Sequence, residues 1–326
     1  MKISYCIATY RRPIKLRNTL NSIFAQDDAD IDVIVNDNDP DGSASKITEE
    51  FNSCQIQYYK NAENIGMVGN FNAALSHAGG DYVVMITDDD PIEVDHALSL
   101  RKLASAYPGK GAYFCFGRSF TANEDLAKFY RIPIGRNSEK TDLTVRQYDG
   151  RRFVLDFFSG NIQGYMLWSC GFVRRDIAQR IKMPDYGTPY LTDFAYLALA
   201  CGDEGVVIQN KIIGWQEIHA DNFGRKEVPE IGAAIDGFKS LARNRWQDDR
   251  EIKVALHSFL ARWVGGHFGF LLKYTSSISG KKKVLFQYIK TVFTYKLYGG
   301  VFNFSLSLLP ASVYGFLRCY KRLFRG

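Results

Sequence analysis

Apolar positions along the first ninety residues follow a repeating order. Short unbroken apolar runs alternate with stretches in which apolar residues recur every three or four positions. Residues 2–9 (KISYCIAT) predict a buried strand, closed by an Arg-Arg-Pro turn. Residues 14–25 place Ile14, Leu16, Leu20, Ile23 and Phe24 at helical spacing. A strand is expected at 31–35, followed by the dense turn NDNDPDGS, then a helix at 43–52 and a short strand at 55–59. A helix at 66–78, stopped by Gly79-Gly80, leads into another buried strand at 81–87. Strand–helix–strand order at these lengths predicts an α/β fold with a mostly parallel sheet and right-handed crossovers. Ligands of such sheets sit beyond the carboxyl ends of the strands. The polar clusters Thr9–Arg12, Asn36–Ser43 and Asp88–Asp90 each follow a strand end, so they should converge on one cleft.

The middle of the chain is more mixed. Strands are expected at 112–120, 165–173 and 205–208, and a helix at 191–201. Beyond residue 230 only helices are expected, at 231–247, 252–274, 283–297 and 311–324. This divides the chain into residues 1–225 and a helical region, 226–326.

Composition narrows the class. The 326 residues are 46 % apolar and 14 % aromatic, which excludes a disordered chain. The net charge of +6 is unevenly spread. Residues 251–326 hold twelve Lys or Arg and one acid, Glu251, so they carry +11 and leave −5 for the rest. The six cysteines form no CxxC pair, and no Cys/His spacing suggests zinc. A reducing cytoplasm suits them, and the N-terminus lacks the pattern of a signal peptide. No stretch is long and apolar enough to predict a spanning helix.

The strongest local feature is MITDDDP at 85–91. Three carboxylates directly after a buried strand are costly unless a cation or donors compensate. Mn²⁺ or Mg²⁺ on a diphosphate would do so, since both prefer oxygen ligands and share them with phosphates. The rival reading makes Asp90 the N-cap of a helix with Pro91 at N1 and Glu93 at N3. A cap accounts for Asp90 but not for Asp88 and Asp89.

Four segments occur in a set order: ISYCIATYRRP at 3–13, DVIVNDNDPDGS at 32–43, ENIGMVGNFNAAL at 63–75 and GDYVVMITDDD at 80–90. Together they resemble glycosyltransferase family 2 on the GT-A fold, with a C-terminal helical appendage added. The resemblance is clear over residues 1–100 and thinner over 160–225. It implies a nucleotide-sugar donor. Thr9, Tyr10 and Arg12 would cradle the nucleotide, and Asp37 would read the base. Asn64 and Asn72 match the family's Asn-x-Gly…Asn segment, and Asp88, Asp89 and Asp90 its Asp-x-Asp element. Asp90 would hold the metal, and Asp88 would bind ribose and help hold it. The turn after the second strand is about one residue shorter than the family's, which leaves Asp37 and Asp39 as rivals for the base.

Three later segments extend the match. In TPYLTDFAYLAL, the resemblance makes Asp193 the general base of an inverting transfer; alternatively it only favours its helix N-terminus, and Asp185 and Asp203 are rivals. His219 in GWQEIHADNFG matches a His that ligates the metal or touches a phosphate. In WSCGFVRRD, Trp168 and Arg174 match a strand near the acceptor, against a core Trp and a solvated Arg pair. Finally, the tail alternates basic and aromatic residues without a nucleic-acid-binding motif. Residues 251–326 are therefore expected to lie on an anionic membrane surface, peripheral at the cytoplasmic face of the cell membrane. By analogy the acceptor is a lipid-linked saccharide of bacterial surface-polysaccharide synthesis. A sugar nucleotidyltransferase would want a Gly-rich phosphate loop where Thr9-Tyr10-Arg11-Arg12 stands, and a non-catalytic scaffold would have no need of the carboxylates.

Overall fold

A computed structural model describes residues 1–51, 54–124, 127, 133–136, 143–162, 164–219, 231–275 and 277–301. They form two compact units: Met1–Val154 with Ile162–His219, and Leu155–Asn161 with Ala220–Gly326.

The first unit is built on an eight-stranded sheet: β1 (Ile3–Thr9), β2 (Ile31–Asp37), β3 (Ile56–Lys60), β4 (Tyr82–Thr87), β5 (Ala112–Phe120), β6 (Val145–Tyr148), β7 (Gly171–Arg174) and β8 (Val206–Glu217). Their spatial order is β3-β2-β1-β4-β7-β5-β8-β6. All seven residues of β1 and of β2 are buried, as in a parallel strand covered on both faces. β1, β2, β3 and β4 run parallel, as do β5 and β8, whereas β7 is antiparallel to both of its neighbours. The helices α1 (Pro13–Phe24), α2 (Ser45–Glu50), α3 (Gly66–Ser76) and α4 (His96–Ala106) supply the crossovers. Gly80 leads into β4 where a Cβ would fall 2.8 Å from the Ser4 nitrogen, so the close approach of β1 and β4 requires glycine there.

Register places the strand ends level. Thr9 pairs with Asp37, and Ala8 with Thr87, so the segments after β1, β2 and β4 leave the sheet side by side. This is the cleft expected from the polar clusters. It also bears on the capping alternative for Asp90. No helix starts there: α4 begins at His96, and Ile92 instead bridges to Gly214.

Other differences have local causes. β2 runs two residues beyond the apolar run, because Asn36 and Asp37 find internal partners that allow their burial. The expected strand 165–173 shrinks to Gly171–Arg174, preceded by a 3₁₀ turn at Trp168–Cys170. β8 continues through polar Asn210 and Lys211, where the apolar signal broke off; Lys211 pairs with Asp95. β6 was not expected and adds antiparallel to β8.

Within the second unit, helices Ile231–Arg245, Arg250–Tyr274 and Ile278–Tyr295 follow one another. Phe158 anchors an aromatic core, its ring 5.5 Å from Phe259 and 5.8 Å from both Phe238 and Trp246. Ile252, Leu260, Val264 and Phe268 of the long helix are buried. The helix expected at 311–324 lies outside the described residues.

Candidate active site

The carboxyl end of β4 carries Asp88, Asp89 and Asp90, all buried. Thr9, ending β1, donates its hydroxyl to Asp88 Oδ2 at 2.7 Å. Arg12 opens α1 with its guanidinium between two of the acids, 2.8 Å from Asp88 Oδ1 and 2.5 Å from Asp89 Oδ2. His219 Nε2 lies 3.0 Å from the same Asp89 oxygen, which makes it a donor there. Five residues named from sequence thus form one bonded cluster.

The cluster sets the protonation of its acids. Burial pushes the Asp88 carboxyl up to about 7, against the pull of the Arg12 charge. Burial would also raise Asp89, but the His219 hydrogen bond and the Arg12 charge hold it below the ordinary carboxylate range. Asp90 is raised well above that range by burial and then by the Asp89 charge. Among the described residues, no ion pair reaches Asp90.

These donors bear on a metal. Asp88, Asp90 and His219 do not come together as one ligand set, because His219 turns to Asp89; no group of three or more His, Cys, Asp or Glu among the described residues is placed to hold an ion. The expected ligand His219 is thus engaged with Asp89 in this arrangement. A divalent ion on a diphosphate takes most of its ligands from phosphate and water and needs one or two carboxylates. Asp90, a buried acid without an ion-pair partner, fits that smaller demand, with Asp88 beside it.

The ends of β1 and β2 are held by amides. Asn70 Nδ2 donates to the backbone oxygens of Thr9 and Asn36, and its Oδ1 accepts from Asn36 and Asn61. Asn38 donates to Asn64 Oδ1 at 2.7 Å. The Asp37 carboxylate is fully buried and occupied: it accepts from the backbone N–H of Asp39 and of Ala44 and from the Tyr58 hydroxyl. Asp39 pairs with Arg11 at 3.2 Å. Tyr10 is exposed, with the Arg11 guanidinium 5.3 Å from its ring centroid. Arg11 has φ of 55°, a left-handed conformation that costs a side-chain-bearing residue energy and is typical of functional turns.

Asp193 stands in the first turn of helix Thr192–Glu204, behind Leu191, whose φ of 66° is likewise left-handed. Burial pushes its carboxyl up to about 6, while the backbone N–H groups at the helix start oppose the shift. Burial of the hydroxyl end of Tyr165, then the charges of Asp193 and Asp90, raise its phenol pKa. Its ring nonetheless remains 43 % open to solvent, and its hydroxyl donates to Gln216. Trp168 packs on Phe71 at 4.7 Å.

Two expected site residues fall elsewhere. Asn72 exchanges two hydrogen bonds with the Met183 backbone, at 2.9 and 2.8 Å. It lies two residues from Asn70, hence on another helix face. Arg174 pairs with Asp176 and Glu204 and sits in register with Tyr82, at the start of β4 and so at the opposite end of the sheet from Asp88. Its side chain completes a surface ion-pair network. Conversely, Asn70 and Tyr165 were missed. Asn70, an amide among the apolar positions Val68, Phe71, Ala74 and Leu75 of its helix, carried a readable signal; nothing in the spacing marked Tyr165.

The chain belongs to glycosyl transferase family 2, whose model matches residues 4–181, more than half of its length. It is 38 % identical over 100 residues to the abequosyltransferase RfbV of Salmonella typhimurium, covering 29 % of this chain and 30 % of that one. It is 26 % identical over 163 residues to the GalNAc(5)-diNAcBac-PP-undecaprenol beta-1,3-glucosyltransferase of Campylobacter jejuni, covering 48 % and 50 %. The matched region thus spans half or less of these curated relatives. Among solved structures, TarS 1–349 of S. aureus with UDP-GlcNAc has a TM-score of 0.62 at 14 % identity, covering 94 % of this chain and 90 % of that one. The mannosyltransferase PcManGT of Pyrobaculum calidifontis with GDP-Man and Mn²⁺ has a TM-score of 0.55 at 15 % identity, covering 96 % and 86 %. The fold is the GT-A glycosyltransferase fold.

Proposed function

We propose that the protein is an inverting glycosyltransferase that moves a sugar from a nucleotide-sugar donor to a lipid-linked saccharide, in bacterial surface-polysaccharide synthesis at the cytoplasmic face of a membrane. The observation that carries this reading is the level ending of β1, β2 and β4, which gathers Thr9, Asp37 and Asp88 along one rim, with Thr9 and Arg12 bonded to Asp88.

In this reading Tyr10, Arg11 and the amide network around Asn38 and Asn64 take the nucleoside, and Asp88 takes the ribose. Asp37 shapes the base pocket through the turn it organises, and Asp39 faces it. Asp90, with Asp88, would hold a divalent ion, Mn²⁺ or Mg²⁺, which would neutralise the leaving diphosphate. Ionised Asp193 accepts the proton of the acceptor hydroxyl. The acceptor oxygen bonds to the anomeric carbon as the carbon–oxygen bond to the diphosphate breaks on the opposite face, so the configuration inverts. Tyr165, exposed and held through Gln216, orients the sugar. UDP-GlcNAc and GDP-Man with the structural neighbours, Mn²⁺ with one of them, and PP-undecaprenol in the name of the Campylobacter relative support these assignments. The test is transfer by Asp193→Asn and Asp90→Ala: each should lose about 10³-fold in kcat/KM with an unchanged circular dichroism spectrum. Wild-type turnover in either variant overturns the reading.

A further inference from the structure

The second unit turns an apolar stripe to solvent. Helix Ile278–Tyr295 buries Val284, Tyr288 and Val292, spaced one turn apart. That face packs on helix Arg250–Tyr274, with the Tyr288 ring 5.6 Å from that of Phe268. At 100° per residue the opposite face carries Phe286, Ile289 and Phe293, which are 68, 46 and 66 % exposed. Lys282, Lys283 and Lys290 stand exposed on the same half of the helix. The helix is also complete without a cover on this face: Ser277 caps its start by accepting from Gly280 N–H at 3.0 Å, and Lys296 closes its end in the left-handed conformation.

Single exposed apolar residues need no explanation, but two Phe and an Ile in line, flanked by lysines, do. After Glu251 the sequence contains no acid, so the surface that complements this helix is anionic. Nucleic acid would suit the lysines, and its bases would stack on Phe, but Ile289 in the middle offers no π face. A bilayer of anionic lipid takes both features at once, with rings among the acyl chains and ammonium groups at the phosphates. Most apolar residues of the Arg250–Tyr274 helix are meanwhile spent inside the unit's own core, so among the described residues this face of helix Ile278–Tyr295 is the one that carries the membrane expectation; residues 302–326 lie outside the described residues.

We propose that helix Ile278–Tyr295 docks on an anionic phospholipid surface through Phe286, Ile289 and Phe293, with Lys282, Lys283 and Lys290 at the headgroups. The proposal rests on the reading that the acceptor is lipid-linked, and it supplies the contact that brings enzyme and acceptor to one surface.

Flotation of the full chain with vesicles of phosphatidylcholine alone or enriched in phosphatidylglycerol tests it. Binding is expected to the enriched vesicles only, and to weaken with salt. Phe286→Ser with Phe293→Ser should lower it at least about tenfold. Each of Lys282→Glu, Lys283→Glu and Lys290→Glu should lower it about fivefold. The exposed positions leave thermal unfolding and nucleotide-sugar binding unchanged, which serves as the folding control. Unaltered vesicle binding in the double Phe variant overturns the proposal. So does a wild-type dimer, seen by light scattering, that this variant dissociates while neither form binds vesicles. Vesicle binding needs neither donor nor acceptor, and transfer to a water-soluble acceptor fragment is measured separately, so failure here and failure of the transferase reading are told apart.

Discussion

The guanidinium of Arg12 lies 2.8 Å from the buried carboxylate of Asp88 and reaches Asp89 with its other nitrogen. A fixed protein cation thereby stands between two acids that could not otherwise both stay ionised. Removing it in Arg12→Ala should cost roughly 1–3 kcal/mol at pH 8, less than for a fully buried pair because Arg12 is partly open to solvent. The sign follows from proton linkage. Without Arg12 the acids take up protons more readily in the folded state, so the loss is largest at high pH and shrinks as pH falls. Denaturant titrations of both proteins at pH 8 and pH 5 measure it; an equal loss at both values would rule out this electrostatic origin.

As the proposed general base, Asp193 should give the reaction its acid limb. With a carboxyl near 6, kcat/KM of the free enzyme should fall about tenfold per pH unit below that value. The same burial has a stability signature. The folded pKa lies above the unfolded value, so the folded state favours the protonated form, and the cost appears as pH rises from about 4 to about 6. Asp193→Asn should therefore stabilise the protein by roughly 2–3 kcal/mol at pH 8 and little at pH 4, while losing transfer. A pH-independent change in stability would place the carboxylate in water instead.

Asn70 and Asn72 separate two uses of one helix. Asn70→Ala removes the donor to two strand-end carbonyls and should cost about 2–3 kcal/mol and raise the donor KM. Asn72→Ala frees only the Met183 backbone and should cost about 1–2 kcal/mol, with the donor KM unchanged. Thermal unfolding with steady-state kinetics on both variants checks the split.

Arg174→Ala should leave kcat/KM within about twofold, because its partners are Asp176 and Glu204 at the far end of the sheet. A loss comparable to that of the carboxylate variants would return Arg174 to the acceptor.

The alternation of apolar runs and helical spacing made the parallel half of the sheet legible, since strands buried on both faces leave an unbroken apolar trace. The same logic read Thr9, Arg12, Asp88 and Asp89 as neighbours, because segments that end parallel strands must meet. It failed where partners are remote. Asn36 and Asp37 look like turn residues until Asn70, Ala44 and Tyr58 satisfy them. β7, antiparallel within the sheet, carries Arg174 away from the cleft, and strand direction is not written in a four-residue run. His219 was placed by position alone, and which acid it meets depends on how β8 ends.

The central claim is a nucleotide-sugar site at the end of β1, β2 and β4, and donor binding tests it most directly. Thermal unfolding is measured with UDP-, GDP-, CDP- and dTDP-sugars in the presence of Mn²⁺. At least one should raise the midpoint, since a ligand that binds only the folded state stabilises it. The rise should vanish in Asp90→Ala or excess EDTA. No shift with any donor, or the same shift in Asp90→Ala, would contradict the account.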